Sequence, residues 1–252
     1  MTQLGRGSIL STIFAAGIVT LSAMPARAQA QAQESTARFL NALAAEKRQV
    51  IVTYGTSLTA NSAWPEQFRN TLQQHYGQKA RVINSASGGK DSRWGLANVH
   101  KRVVAKHPDA VFLEFAINDA LMSSELSVDE SAWNHDRMIE AIRAEAPNCE
   151  IFLLVMNPPT GEQFEKRAGI ASYEEVTRRA ALKWGTGLID FSPTWSSIIH
   201  DQPGRWSAYA PDGLHPSAVA SREVIVPCLL ESLVAPFTPS RRRPFNSYGI
   251  PR

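Results

Sequence analysis

Five short runs of apolar and β-branched residues, at 50–54, 80–84, 110–116, 150–156 and 187–191, are separated by longer segments with helical spacing. Repeated strand–helix–strand units give a parallel sheet with helices packed on both faces, because a parallel partner can be reached only by a crossover. The runs are nearly continuous in apolar character, as strands covered on both sides should be. The pattern predicts a three-layer α/β/α sandwich built on about five parallel strands.

Between the runs, helix signals are local. Trp64, Phe68, Leu72 and Tyr76 recur every fourth residue, with Pro65 where a first helical turn tolerates it, so they form one apolar stripe. Ser127 with Glu130, and Ser172 with Glu175, match the capping box that opens a helix. Pro216 is read as opening the last helix. In an open parallel sheet, ligands bind beyond the carboxyl ends of the strands, near the point where strand order reverses. The residues that follow the first three runs, and the loop before the last helix, should therefore converge.

The ends of the chain have a different texture. Residues 1–28 carry an early Arg6, an apolar stretch over 9–24 and Pro25-Ala26-Arg27-Ala28, the charge, greasy segment and small-x-small pattern of a secretory signal. The stretch is short and interrupted by Ser and Gly, whereas a membrane span takes about 20 apolar residues. Export to the periplasm or beyond is expected, with no stable membrane insertion after cleavage. Residues 29–36 read as a polar linker, 37–236 as the folded domain and 237–252 as a basic, loose tail.

Composition narrows the function classes. Hydrophobic residues make up 44% and charged residues 19%, which excludes disordered and coiled-coil chains. The net charge of +3 comes largely from the ends, since residues 1–28 hold Arg6 and Arg27 without an acid and Arg241, Arg242, Arg243 and Arg252 lie near the other terminus. The body has no run of Lys and Arg suited to a nucleic-acid groove, so no nucleic-acid partner is expected. Two cysteines cannot build a disulfide framework or a four-ligand zinc cluster. Export would permit a Cys149–Cys228 bridge, but one precedes an apolar run and the other sits in a helical one, which suits two buried, unpaired thiols.

Four segments carry residues suited to chemistry. After the first run, Gly55-Thr56-Ser57-Leu58-Thr59 places a hydroxyl where strand turns into loop. After the second, Gly88-Gly89 lets backbone approach a ligand closely. After the third, Asn118 offers an amide able to donate to an oxyanion. Before the last helix, Asp212 stands three residues ahead of His215, a spacing that lets a carboxylate hold the imidazole in one tautomer. Asp190, after the fifth run, is a rival for that orienting role. Glu114 lies inside a strand read as central, where an unpaired charge costs several kcal/mol, so a partner or a place at the sheet's end is expected. Asn157-Pro158-Pro159 should form a stiff loop beside the site. Trp94, Trp195, Trp206 and Tyr209 either line a pocket or join the core.

These segments together resemble the four blocks of the SGNH or GDSL hydrolases, over a span from about Val50 to Pro216. Residues 84–94, ending Ser92-Arg93-Trp94, and Ala116-Ile117-Asn118-Asp119-Ala120 are also similar to the branch that hydrolyses isoamyl acetate. The resemblance implies the same sandwich, flavodoxin-like. By position it implies Ser57 as nucleophile, His215 as base and Asp212 as orienting acid. It implies an oxyanion hole of the Ser57 N–H, the Gly89 N–H and the Asn118 amide, Gly89 being chosen over Gly88 as the fifth residue after Asn84. Two positions depart from the pattern: Thr56 stands where the family name has Asp, and Lys90 replaces the acid that commonly follows the glycine. The Gly-x-Ser-x-Gly elbow of the α/β-hydrolases is absent around Ser57.

The implied activity is hydrolysis of carboxylic esters through an acyl-enzyme, requiring no metal or cofactor, on small-molecule esters or acetylated glycans. The alternatives are a lysophospholipase or thioesterase with a longer acyl pocket, and a silent module that binds a glycan or protein.

Overall fold

The computed structural model describes residues 37–234. The expected signal (1–28), the linker (29–36) and the basic tail (237–252) lie outside the described residues. Each of the five runs forms a strand: β1 (Gln49–Gly55), β2 (Ala80–Asn84), β3 (Ala110–Glu114), β4 (Glu150–Val155) and β5 (Gly187–Asp190). All neighbours pair in parallel, in the order β2-β1-β3-β4-β5. This is the flavodoxin order, in which the chain leaves β1 toward one edge and returns to continue on its other side at β3. The reversal lies between β1 and β3, where Val52 pairs with Val111 and Gly55 with Glu114.

The helices used below are α1 (Arg38–Ala44), α2 (Ser57–Ala60), α3 (Trp64–Tyr76), α4 (Ser92–Arg102), α5 (Ala116–Asp119), α6 (Val128–Glu145), α7 (Ile170–Trp184), α8 (Ser192–Asp201), α9 (Pro203–Tyr209) and α10 (Val226–Val234). Strand side chains alternate between two apolar clusters. Ile51, Phe112 and Leu154 join Phe39, Phe68, Trp195 and Leu229 on one face. Val52, Val111 and Leu153 join Val99, Met138 and Ile142 on the other. Period-two alternation with both faces buried is what makes each strand read as unbroken apolar sequence. Trp64, Phe68 and Leu72 of the α3 stripe are buried, each contributing roughly 1.5–3 kcal/mol; Tyr76 is only partly buried.

Three local expectations change. β3 stops at Glu114 rather than continuing to 116, because Phe115 leaves the extended region and Ala116 begins a helical turn. The Ser127 cap forms, its hydroxyl accepting from the Glu130 N–H at 3.1 Å, but Ser172 caps nothing. It lies inside α7, which starts at Ile170 after Gly169 with no side-chain cap. Starting there buries Ile170, and that burial outweighs the ~1 kcal/mol of a cap bond. At the carboxyl end Ser217, not Pro216, opens the final helical stretch, accepting from the Ala220 N–H at 3.2 Å. That stretch widens into a π turn over Ser221–Ile225 before α10, just ahead of Pro227, which has no N–H to give to a carbonyl one turn back.

Cys149 and Cys228 are unpaired, the first buried and the second partly exposed. Among the described residues, no helix is long and apolar enough to cross a membrane.

Candidate active site

Where β1 ends, the backbone must pass close to β3. A Cβ on Gly55 would lie 2.3 Å from the Glu114 carbonyl oxygen and 2.8 Å from its Oε2, so only glycine fits. Thr56 then caps α2, its Oγ1 accepting from the Leu58 N–H at 3.2 Å. Ser57 follows as the first residue of that helical turn, 9% exposed. A first-turn N–H has no partner within its own helix, and among the described residues the Ser57 N–H meets no acceptor.

The loop after β2 is drawn against this turn. The Ser85 N–H donates to Thr53 O at 2.8 Å and the Ser87 N–H to Gly55 O at 3.0 Å. The Asn84 amide donates to Thr59 O at 3.1 Å while its Oδ1 accepts from the Ala86 N–H at 3.2 Å. The glycine pair therefore runs beside the serine, and a Cβ on Gly88 would sit 3.7 Å from Ser57 Cβ. Gly89 takes φ +68°, a conformation that side chains with a Cβ rarely adopt.

After β3, α5 places Asn118 and Asp119, both buried, to face the same loop. The Asn118 amide donates to Lys90 O at 2.9 Å, next to Gly89. Asp119 accepts from the Ser92 N–H at 2.7 Å and the Ser131 hydroxyl at 2.6 Å, fastening α4 and α6 to the end of β3. Burial raises its carboxyl above the ordinary range, against the pull of His135, Ser131 and Ser92.

The loop before the last helix completes the arrangement. Asp212 Oδ1 accepts from the Leu214 N–H at 2.9 Å and the His215 N–H at 2.7 Å, and Oδ2 lies 2.6 Å from His215 Nδ1. His215 Nε2 lies 2.9 Å from Ser57 Oγ. Burial works to raise the Asp212 carboxyl, but the bonds from the His215 ring and the two N–H groups outweigh it and hold it below its ordinary value. The loop is clamped by the segment after β4: the Thr160 N–H donates to Gly213 O and the Asn157 amide to Leu214 O, each at 2.8 Å. Gly213, at φ +73°, passes so close that a Cβ would lie 2.8 Å from Thr160 O.

Ser57, His215 and Asp212 thus form one hydrogen-bonded line, with the Gly88-Gly89 segment beside Ser57. Asp190 is not in it; it accepts from the Arg178 guanidinium at 2.8 Å and the Ser192 hydroxyl at 2.6 Å. Trp195, Trp206 and Tyr209 are core, with Trp195 edge-on to the other two. Trp94 packs on Tyr54 at a ring distance of 5.6 Å. Glu114 has the expected partners at the sheet's end, accepting from the Thr56 N–H at 3.1 Å and the Thr59 hydroxyl at 3.1 Å. The bracing by Asn84, Asp119, Asn157 and Thr160 had no reading in the sequence beyond a stiff loop at 157–159. Asn84 and Asp119 stood only within the segments that resemble the family's blocks, with no bracing role read for them.

The GDSL-like lipase/acylhydrolase family model matches residues 51–222. A GDSL esterase/lipase of Arabidopsis thaliana is 28% identical over 137 residues, covering 51% of this chain and 54% of that protein, so the match spans about half the relative's length. Among solved structures, the lipase/acylhydrolase of Enterococcus faecalis superposes with a TM-score of 0.62 at 22% identity, covering 74% of this chain and 95% of that one. A catalytic mutant of Axe2, an acetylxylan esterase of Geobacillus stearothermophilus, superposes with a TM-score of 0.63 at 20% identity, covering 78% and 98%. At these identities the two structures establish a shared fold. The family match extends from β1 through the loop that carries Asp212 and His215; the chain belongs to the GDSL-like lipase/acylhydrolase family.

Proposed function

We propose that this chain is an exported serine esterase that hydrolyses carboxylic esters of small acyl groups, including those carried on carbohydrates, through an acyl-enzyme intermediate. The observation that carries the reading is the continuous line from Ser57 Oγ to His215 Nε2 at 2.9 Å and from His215 Nδ1 to Asp212 at 2.6 Å. His215 takes the Ser57 proton as Oγ attacks the ester carbonyl, and Asp212, held ionised, supports the imidazolium that forms. The tetrahedral intermediate collapses as His215 returns the proton to the departing alcohol. Water then attacks the acyl-enzyme with His215 again as base, releasing the acid and restoring Ser57.

The oxyanion is assigned to the Ser57 N–H, the Gly89 N–H and the Asn118 amide. Asn118 spends one amide hydrogen on Lys90 O, and an NH₂ group has a second. Each such donor is worth on the order of 3 kcal/mol in the transition state. The side chains of Asp212 and His215 are 51% and 42% exposed, so one wall of the site opens to solvent. That openness supports a substrate whose alcohol part is bulky, as a glycan is, and extends outside the protein. Export rests on the pattern of residues 1–28.

A fluorophosphonate probe should label the folded protein at Ser57, and hydrolysis across acetyl, butyryl and octanoyl nitrophenyl esters should be fastest with acetyl. An octanoyl optimum would point instead to a lysophospholipase or thioesterase; folded protein that takes no label would leave only a binding role.

A further inference from the structure

Glu114 is the last residue of β3 and is 2% exposed. It accepts from the Thr56 N–H at 3.1 Å and lies 2.9 Å and 3.0 Å from the Thr56 hydroxyl and 3.1 Å from the Thr59 hydroxyl. These partners flank Ser57, one immediately before it and one two residues after. The missing side chain of Gly55, paired with Glu114 across the strands, makes room for the carboxyl. Thr56 carries no acid of its own, and the carboxyl at that turn comes from the neighbouring strand.

We propose that Glu114 is a positioning residue for the nucleophile, its carboxyl fixing the α2 turn so that the Ser57 hydroxyl and N–H keep their directions during acyl transfer. Burying an acid is costly compared with an apolar side chain of similar size, and here the hydrogen bonds of that acid go to the turn that carries Ser57. The proposal rests on the esterase reading and deepens it.

The protonation state of Glu114 matters to the same turn. Burial pushes its carboxyl up to about 8 against the bonds from Thr56 and Thr59, with Asp119 adding to the rise. The other acid facing it is Glu174 of α7, across a small cavity that Asn157 also lines; Glu174 pairs with Arg178. Protonated Glu114 leaves the turn neutral. Its ionisation at higher pH places a negative charge behind the N–H assigned to the oxyanion, and the rate should fall.

The test is steady-state kinetics on nitrophenyl acetate from pH 6 to 10 with wild type, Glu114→Gln, Glu114→Leu and the double variant Glu114→Leu/Thr56→Asp. Glu114→Leu should lower kcat about 10-fold to 100-fold with little change in KM, the cost of a slightly misdirected nucleophile. Glu114→Gln should recover most of that loss and abolish the wild-type decline above pH 8; the double variant should exceed Glu114→Leu. A folded Glu114→Leu with wild-type kcat, or a Glu114→Gln no better than Leu, would overturn the proposal. Should Glu114→Leu not fold, the pH profile of Glu114→Gln decides, and an unaltered profile overturns it. Failure of the esterase reading looks different: wild type itself would turn over no ester and take no fluorophosphonate, and this proposal would fall with it.

Discussion

The Ser57 hydroxyl reaches His215 because the residues around it have little freedom: Gly55 cannot carry a Cβ, and Thr56 is committed to capping α2. Replacing Ser57 or His215 by alanine should each lower kcat by several orders of magnitude, and the double variant should be no worse than either, since the two act as one unit. A double-mutant cycle on nitrophenyl acetate checks this; additive losses would mean that they do not share a proton. Asn118→Ala should cost about 10²-fold to 10³-fold in kcat, measured on the same ester, and full turnover would remove Asn118 from the oxyanion hole. At this scale much was legible, because Asp212 and His215 lie within one turn and their contact is local. Glu114 was legible only as a buried charge in need of a partner. That its partners are Thr56 and Thr59 depends on how β1 and β3 align, which no residue type announces.

Between elements, the site is an assembly of loops held by other loops. The Asp212–His215 segment owes its position to Asn157 and Thr160 after β4, and Gly213 is the point where the two backbones nearly touch. Gly213→Ala should strain a left-handed backbone and push against Thr160 O at once, costing about 1–3 kcal/mol. Thermal melting would register the loss of stability, and kcat should fall further than that loss alone accounts for, because His215 moves. An alanine variant with unchanged Tm and kcat would show that the clamp is slack. Helix boundaries, by contrast, were only partly readable. Ser127 caps its helix, although the Glu130 carboxyl goes to Arg93 instead of closing the box, while Ser172 does not cap, since the gain from burying Ile170 shifts the start of α7 and that gain is invisible without the core it enters.

For the molecule as a whole, two expectations follow. If residues 1–28 direct export, the protein recovered from outside the cytoplasm should begin at Gln29 or shortly after, as intact-mass measurement would show; a product that begins at Met1 would contradict cleavage. Folding should also respond to pH through Glu114. Its carboxyl is raised to about 8 in the folded state, above the ordinary value of 4.5, so the folded chain holds a proton that the unfolded chain has released. That contribution to stability is complete below pH 4.5 and is lost as pH rises through about 8. The Tm of wild type should therefore fall more between pH 5 and 9 than that of Glu114→Gln; equal falls would place the carboxyl in a far more polar setting. The sequence alone determined the layered parallel architecture and the closeness of Asp212 to His215, because periodicity and short spacing are properties of neighbouring residues. Only the tertiary structure decided that Ser57 Oγ, 158 positions from His215, lies 2.9 Å from it, that Asp190 belongs to Arg178, and that Glu114 supports the serine turn. Those pairings depend on strand order and register, which are set by packing across the whole core rather than by any local run of residues.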